Sequence, residues 1–586
     1  MKKLLIFLGV TMLVAHAAHS QYVIKDAKDL VNLKKLPQEK VYVHHTGPLV
    51  FVGEYLKYAM YCFNTQSNKF SAISRVGYVA LVNDKGDYLL EQKIPLTDGL
   101  SQGDFFINTD VPSGNYKLLG YTQWMKNSGT KQIFKDDLVI INPYQVDQSN
   151  VLGKNELVQT NAKMDRELKM DSTTVQIRFE QRNFGTREKV CFILKNYKGA
   201  LAKGNYSIRI QKKSEFAVPP PQNAMDYGLA YLNVDKTITK NVGDYVFLPE
   251  QQGELFFGKA ISYDTKEPAK GQEVVMSIPG DPYFLESTTT DDNGEFYVYA
   301  SVDYKIPQVF IQSNGDEALQ FEYGESKKMD VTGLSFGNFK LQPDYADVIK
   351  QRSIHNQVEN QFFSVKPDSV VVEKTTTLKE LPNFVSFHLD EYTRFRTLEE
   401  TMVEILSYVG FRNNGDGPDY IHVTQKSEDY REEFIQTPAL VLLDGIFIPD
   451  HSMLRDLDAR LIRTIRVNQD KVKLGEKTYQ GTVRLETIDG DYYNVYEPIN
   501  GVKVPIKVPQ RPKNYFNQQY NIGGSTLDNV PDYRRLLYWQ PHVEVGETDM
   551  QFEFFTSDLT GEFEVILDGF TSYGKPIFSK SMLVVK

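Results

Sequence analysis

Few residues in this chain have types and spacings that could do chemistry. The two cysteines, Cys62 and Cys191, can form one bridge at most. They lie in apolar runs, Leu56-Lys-Tyr-Ala-Met-Tyr-Cys-Phe63 and Val190-Cys-Phe-Ile-Leu194, expected to be strands of separate domains. Both therefore read as small apolar residues without an activating base. Zinc hydrolysis needs histidine pairs on one helix face. His44 and His45 are instead adjacent on a strand and point to opposite faces, while His388, His422 and His451 are isolated and read as surface or packing residues. The run Asp291-Asp-Asn-Gly-Glu295 could suggest calcium, but an EF-hand needs spaced ligands and a distant Glu, so it reads as a turn. Neither a Gly-x-Ser-x-Gly elbow nor a phosphate loop occurs. The expectation is a non-enzyme with no catalytic residue, no metal site and no cofactor.

The elements around these residues follow a repeated signal. Gly114-Asn-Tyr116, Gly204-Asn-Tyr206, Gly294-Glu-Phe296 and Gly561-Glu-Phe563 each precede an alternating run. Glycine supplies the tight turn, and the aromatic packs inward as the strand starts. The first three glycines are 90 residues apart and the fourth follows after 267. An immunoglobulin-type sandwich takes about 100 residues. The fold class expected is mainly β: serial immunoglobulin-like or macroglobulin-like sandwiches at 36–144, 165–246 and 250–340, an inserted small α/β domain at 374–494, and a partial sandwich at 530–586. The partial sandwich is expected to pair with strands just before or inside the insertion.

The insertion shows a helical period. Thr397-Leu-Glu-Glu400 is a capping box. Leu398, Met402, Ile405, Leu406 and Val409 fall on one face, with Gly410 as the stop. The Asp444-Gly445 turn joins Leu440–Leu443 to Ile446–Ile448 as a hairpin.

The first twenty residues read as a secretory signal. Lys2 and Lys3 precede the apolar run Leu4–Val14, and Ala18-His19-Ser20 suits a cut before Gln21. No Cys follows that run, so a lipoprotein anchor is not expected there. No later stretch reaches the ~20 apolar residues of a membrane helix. The net charge of −10 argues against nucleic acid.

Glu39-Lys-Val-Tyr-Val-His44, Gly53-Glu54, Gly103-Asp-Phe105, Val111-Pro-Ser-Gly-Asn-Tyr116 and Trp124-Met125 resemble the macroglobulin-like domain of exported Bacteroidetes proteins. A thioester trap would need Cys-Gly-Glu-Gln, which neither cysteine has. Gly253–Ala260, Glu267-Pro268, Val274–Met276 and Thr290–Phe296 resemble a carboxypeptidase-regulatory-like sandwich, a spacer without peptidase activity. Leu398-Glu-Glu400, Leu440-Val-Leu-Leu-Asp-Gly445, Leu461-Ile-Arg-Thr-Ile-Arg-Val467, Gly475 and Gly481-Thr-Val483 resemble the plug of TonB-dependent outer-membrane receptors. No TonB box is evident, and no barrel is expected to follow the plug-like unit. Leu537-Tyr-Trp-Gln-Pro541 is similar to a run in the same exported proteins.

These resemblances imply a non-enzymatic binding or scaffold subunit of an outer-membrane complex. Its plug-like domain would contact a separate barrel partner through an exposed hairpin at Asp444, Gly445, Ile446 and Phe447. Location would be the outer membrane, the periplasm or the cell surface, with the membrane reached through the partner. The abundance of Tyr and Phe, 35 each, supports a second expectation, a free adhesin or carbohydrate-binding protein. A third is a secretion-sorting role for the C-terminal strands.

Overall fold

The computed structural model describes residues 22–152, 169–171, 173–232, 238–301, 303–371, 383–413, 418–425, 436–520 and 529–586. The proposed signal, residues 1–20, lies outside them. The protein is mainly β. Among the described residues no helix is long and apolar enough to cross a membrane.

The first sandwich is built from one continuous stretch. Glu39–His45, Tyr55–Asn64 and Leu100–Phe106 form one sheet. Leu49–Phe51, Phe134–Ile141, Gly114–Tyr121, Val76–Val82 and Tyr88–Pro95 form the other, in that order. Val41, Met60, Val79, Leu118 and Ile140 are among the fully buried side chains between and around them.

The second sandwich is split along the chain. Val175–Phe179 and Lys189–Asn196 pair with Met550–Phe555. Gly204–Lys212 lies between Leu536–Val545 and Gly561–Thr571, with Pro576–Val585 and Asn183–Phe184 outside. This corrects the expected partnership: the strands of 530–586 complete the 165–246 unit, not the insertion. The physical cause is a shared core. Phe192, Tyr206 and Ile208 pack in one cluster with Phe554, Phe563 and Leu567, so neither half can bury its apolar face alone.

The third sandwich stacks Glu295–Ala300, Glu254–Ser262 and Leu319–Gly324 on Phe284–Thr289, Glu273–Ile278, Gln308–Ser313 and Gly501–Pro505. The last strand comes from beyond the insertion and pairs with Gln308–Ser313. Between them the α/β unit orders its sheet as Val385–His388, Ile462–Leu474, Lys477–Thr487, Leu440–Leu443 and Ile446–Phe447. Leu440–Leu443 runs parallel to Lys477–Thr487. The capping box forms as expected: Glu400 N–H donates to Thr397 Oγ1, and Glu400 Oε2 accepts from Thr397 N–H. The helix stops earlier than the period suggests, at Leu398–Ile405. Val409–Arg412, including Gly410, instead forms a hairpin with Tyr420–Val423. Two β-branched or aromatic residues there, Val409 and Phe411, favour the strand.

All four glycine turns open strands, and Tyr116, Tyr206, Phe296 and Phe563 are buried. The Tyr116 hydroxyl donates to Pro112 O at 2.7 Å, and Tyr206 repeats this with Ala202 O at 2.8 Å. Each pins its turn in the manner of a tyrosine corner. Gly204 and Gly561, however, start neighbouring strands of one sheet, so four turns mark three sandwiches.

A helix over Ala346–Gln361 was not evident in the sequence. It lies on the first sandwich, where Arg352 grips Glu54 with two bonds of 2.7 Å. Burial alone would raise the Glu54 carboxyl, but the guanidinium outweighs it and holds the group below its ordinary value.

Candidate functional site

The Asp444–Phe447 hairpin forms but is not exposed, which corrects that expectation. Asp444 is 8% exposed, and Ile446 and Phe447 are buried. Asp444 and Gly445 both have positive φ, 50° and 86°, as an Asp-Gly hairpin turn requires. The Asp444 carboxylate accepts from Thr487 N–H at 2.8 Å, Thr487 Oγ1 at 2.6 Å and Tyr492 N–H at 3.1 Å. The turn then seats on the third sandwich. Gly280 N–H donates to Asp444 O at 3.2 Å, and Gln312 Nε2 donates to Phe447 O at 2.6 Å. A Cβ on Gly445 would lie 2.5 Å from Tyr283 Cβ. Leu440, Leu442, Phe447, Leu474 and Tyr479 bury against Val275 of that sandwich. The hairpin is thus an internal joint.

The other chemically suggestive residues are also structural. His44 Nδ1 bonds Ser207 Oγ, and His45 Nε2 lies 3.1 Å from Asp136 Oδ2, so the pair does face opposite ways. His451 is buried, accepts from Ile421 N–H at 2.9 Å, and is pushed down to about 4 by burial. Asp291 Oδ1 accepts from Asn293 and Glu295 N–H, which makes the 291–295 run a turn. Cys62 is buried and Cys191 exposed, both without a disulfide. Among the described residues no group of three or more His, Cys, Asp or Glu could hold a metal ion.

Sequence reasoning missed the place where ionisable groups do converge, at the junction of the first and third sandwiches. Glu250 and Glu254 flank the start of Glu254–Ser262. Tyr78 and Gln123 come from the first sandwich, Phe247 from the connection, and Tyr323 from Leu319–Gly324. Together they line a cleft of about 60 Å³. Glu250 is 2% exposed. Its Oε1 accepts from Tyr78 OH at 3.0 Å, and its backbone carbonyl accepts from Arg75 N–H at 2.7 Å. Its Oε2 is buried and has no hydrogen-bond partner among the described residues. Glu254 pairs with Lys93 and accepts from Tyr304 OH. Burial, with Glu254 nearby, pushes the Glu250 carboxyl up to about 8. Burial pulls the neighbouring Lys126 ammonium down to about 8. Lys126 bonds Ser326 Oγ at 3.3 Å and Lys327 O at 2.9 Å, over the Phe247 ring. The arrangement can exchange protons near neutrality and can hold a small polar guest. The sequence signal was faint: two Glu four residues apart before a strand, in a chain with 76 acidic residues.

Among solved structures, a Salmonella alpha-2-macroglobulin reacted with methylamine is 10% identical, with a TM-score of 0.23 over 96% of this chain and 40% of that one. A trypsin-activated Escherichia coli alpha-2-macroglobulin is also 10% identical, TM-score 0.23, over 94% of this chain and 41% of that one. A β-glucosidase from Listeria innocua in complex with isofagomine is 14% identical, TM-score 0.12, over 18% and 16%. This chain spans about two fifths of the length of the macroglobulins it matches. No family model matches the chain, and no curated protein matches it. Likenesses of this order carry over neither chemistry nor partners.

Proposed function

We propose that the chain is a non-enzymatic binding or scaffold subunit of a bacterial outer-membrane complex. In this reading its sandwiches are macroglobulin-like and carboxypeptidase-regulatory-like, and its α/β unit is plug-like. The observation that supports it is the way the α/β unit is fixed. Both faces of its sheet are packed, one on the third sandwich and one on the helix Leu398–Ile405. The tip of its long hairpin is also tied down, with Tyr479 OH donating to Asn314 Oδ1 at 2.8 Å and Glu476 N–H to Glu273 Oε1 at 2.9 Å. A unit held on the third sandwich at two points, its sheet face and its hairpin tip, presents its remaining surface in one fixed orientation, as a scaffold must.

With the Asp444 hairpin covered, the partner would meet the helix side, where Val403 is 70% exposed. The test is purification in mild detergent followed by mass spectrometry. Enrichment of an outer-membrane barrel protein, lost on Val403→Glu, is expected. Recovery as a lone soluble monomer would overturn the proposal.

A further inference from the structure

Among the described residues, Glu250 Oε2 is a buried carboxyl oxygen with no hydrogen-bond partner. A buried polar atom without a partner costs roughly 1–3 kcal/mol, and the side chain that carries it lines a space large enough for a guest. The cleft of about 60 Å³ is several times the ~10–15 Å³ that admits one water. Its lining contributes two carboxylates, Glu250 and Glu254, and the rings of Tyr78, Phe247, Phe257 and Tyr323. Carboxylates with aromatic faces favour a cation over an anion or a neutral solute. Lys93 is already engaged with Glu254, and Lys126 with Ser326 and Lys327, so neither ammonium bonds Glu250 Oε2.

We propose that this cleft binds a primary ammonium group, which donates to the Glu250 carboxylate and rests against the aromatic lining. The guest bridges the first and third sandwiches, because Tyr78 belongs to one and Glu254 to the other. A free alkylamine and a lysine side chain of a partner share this chemistry.

Binding is coupled to a proton. In the empty cleft the Glu250 carboxyl is raised to about 8, by burial first and then by Glu254, against Tyr78, Leu255 N–H and Lys93. Lys126, Tyr121, Tyr299 and Tyr304 also feel its charge. Below pH 8 an arriving ammonium must displace the carboxyl proton, so apparent affinity should rise up to about tenfold per pH unit between pH 6 and 8.

The experiment is calorimetric titration of the full chain with ethylammonium chloride at pH 6.5 and 7.5, with sodium chloride as the ionic-strength control. Saturable binding is expected, several-fold tighter at pH 7.5 and at least tenfold weaker in Glu250→Gln. A parallel titration with N-acetyl-lysine amide separates the sources. Binding of both probes supports a lysine side chain as guest, and binding of ethylammonium alone supports a free amine. Equal response to sodium, no pH dependence in the unaltered chain, or unchanged affinity in a folded Glu250→Gln overturns the assignment. The pH comparison needs no variant, so it decides the matter if Glu250→Gln fails to fold.

Discussion

The first sandwich and the split sandwich use the same turn and corner, yet they bury their strands differently. Glu39–His45 is buried at all seven positions, whereas Lys189–Asn196 alternates exposed and buried almost throughout. The cause is position in the molecule. The first sandwich faces its own core on one side and the split sandwich on the other. There Tyr42 OH donates to Asp568 Oδ2 at 2.6 Å, and Phe570 packs on Phe63 with ring centroids 4.6 Å apart. The outer sheet of the split sandwich meets solvent. A β-strand thus records in its sequence how many faces it buries, but not which strand lies beside it.

If Phe570 is the bolt between the two sandwiches, removing it should weaken both. Phe570→Ala should cost about 3–5 kcal/mol. Urea unfolding followed by the fluorescence of Trp124 and Trp539 should show one transition at lower urea. A first sandwich that unfolds at its original midpoint would break the comparison.

The shared glycine turn offers a sharper contrast. A Cβ on Gly204 would sit 2.2 Å from Phe570 O, whereas one on Gly114 would meet only the Tyr116 ring at 3.2 Å. Gly204→Ala should cost about 1–3 kcal/mol by overpacking, and Gly114→Ala less than about 1 kcal/mol. Equal costs by thermal melting would show that the two turns tolerate crowding alike.

The smallest cost at a fixed acidic pH concerns the junction carboxyl. Burial raises Asp568 to about 7 from an ordinary 3.8. The folded state therefore holds a proton that the unfolded chain has released. Its stabilising contribution is complete below about 4 and is lost as pH rises towards 7. Asp568→Asn should flatten this part of the Tm profile between pH 4.5 and 7.5, while costing about 1 kcal/mol at the acidic end for one lost acceptor. An unaltered slope would place the titration elsewhere.

Much of the local structure was legible. The strands around Val41, Met60 and Val79, the Thr397 capping box, the Asp444-Gly445 hairpin and the four aromatic turns all follow from short-range rules of period, cap and turn. What was not legible depends on long-range partners. Nothing near Gly561 indicates that its strand lies beside Gly204–Lys212, because both runs satisfy the same alternating pattern. The helix Ala346–Gln361 escaped notice because only Val348 and Ile349 pack on the apolar cluster around Phe51, while Arg352, Asn356 and Asn360 hold it by hydrogen bonds, so it shows little apolar period. The exposed reading of Asp444–Phe447 failed similarly: an Asp-Gly turn states its backbone shape but not what covers it. The Glu250 cleft is assembled from four distant segments.

The split sandwich also has a history in time. Gln211 pairs with Leu536, some 325 residues later. At ~5–20 residues added per second, the earlier strands wait on the order of 15–65 s for their neighbours during synthesis. Through that interval their edges are open templates for wrong pairing, so the sandwich can close only after the third sandwich and the α/β unit have already been made.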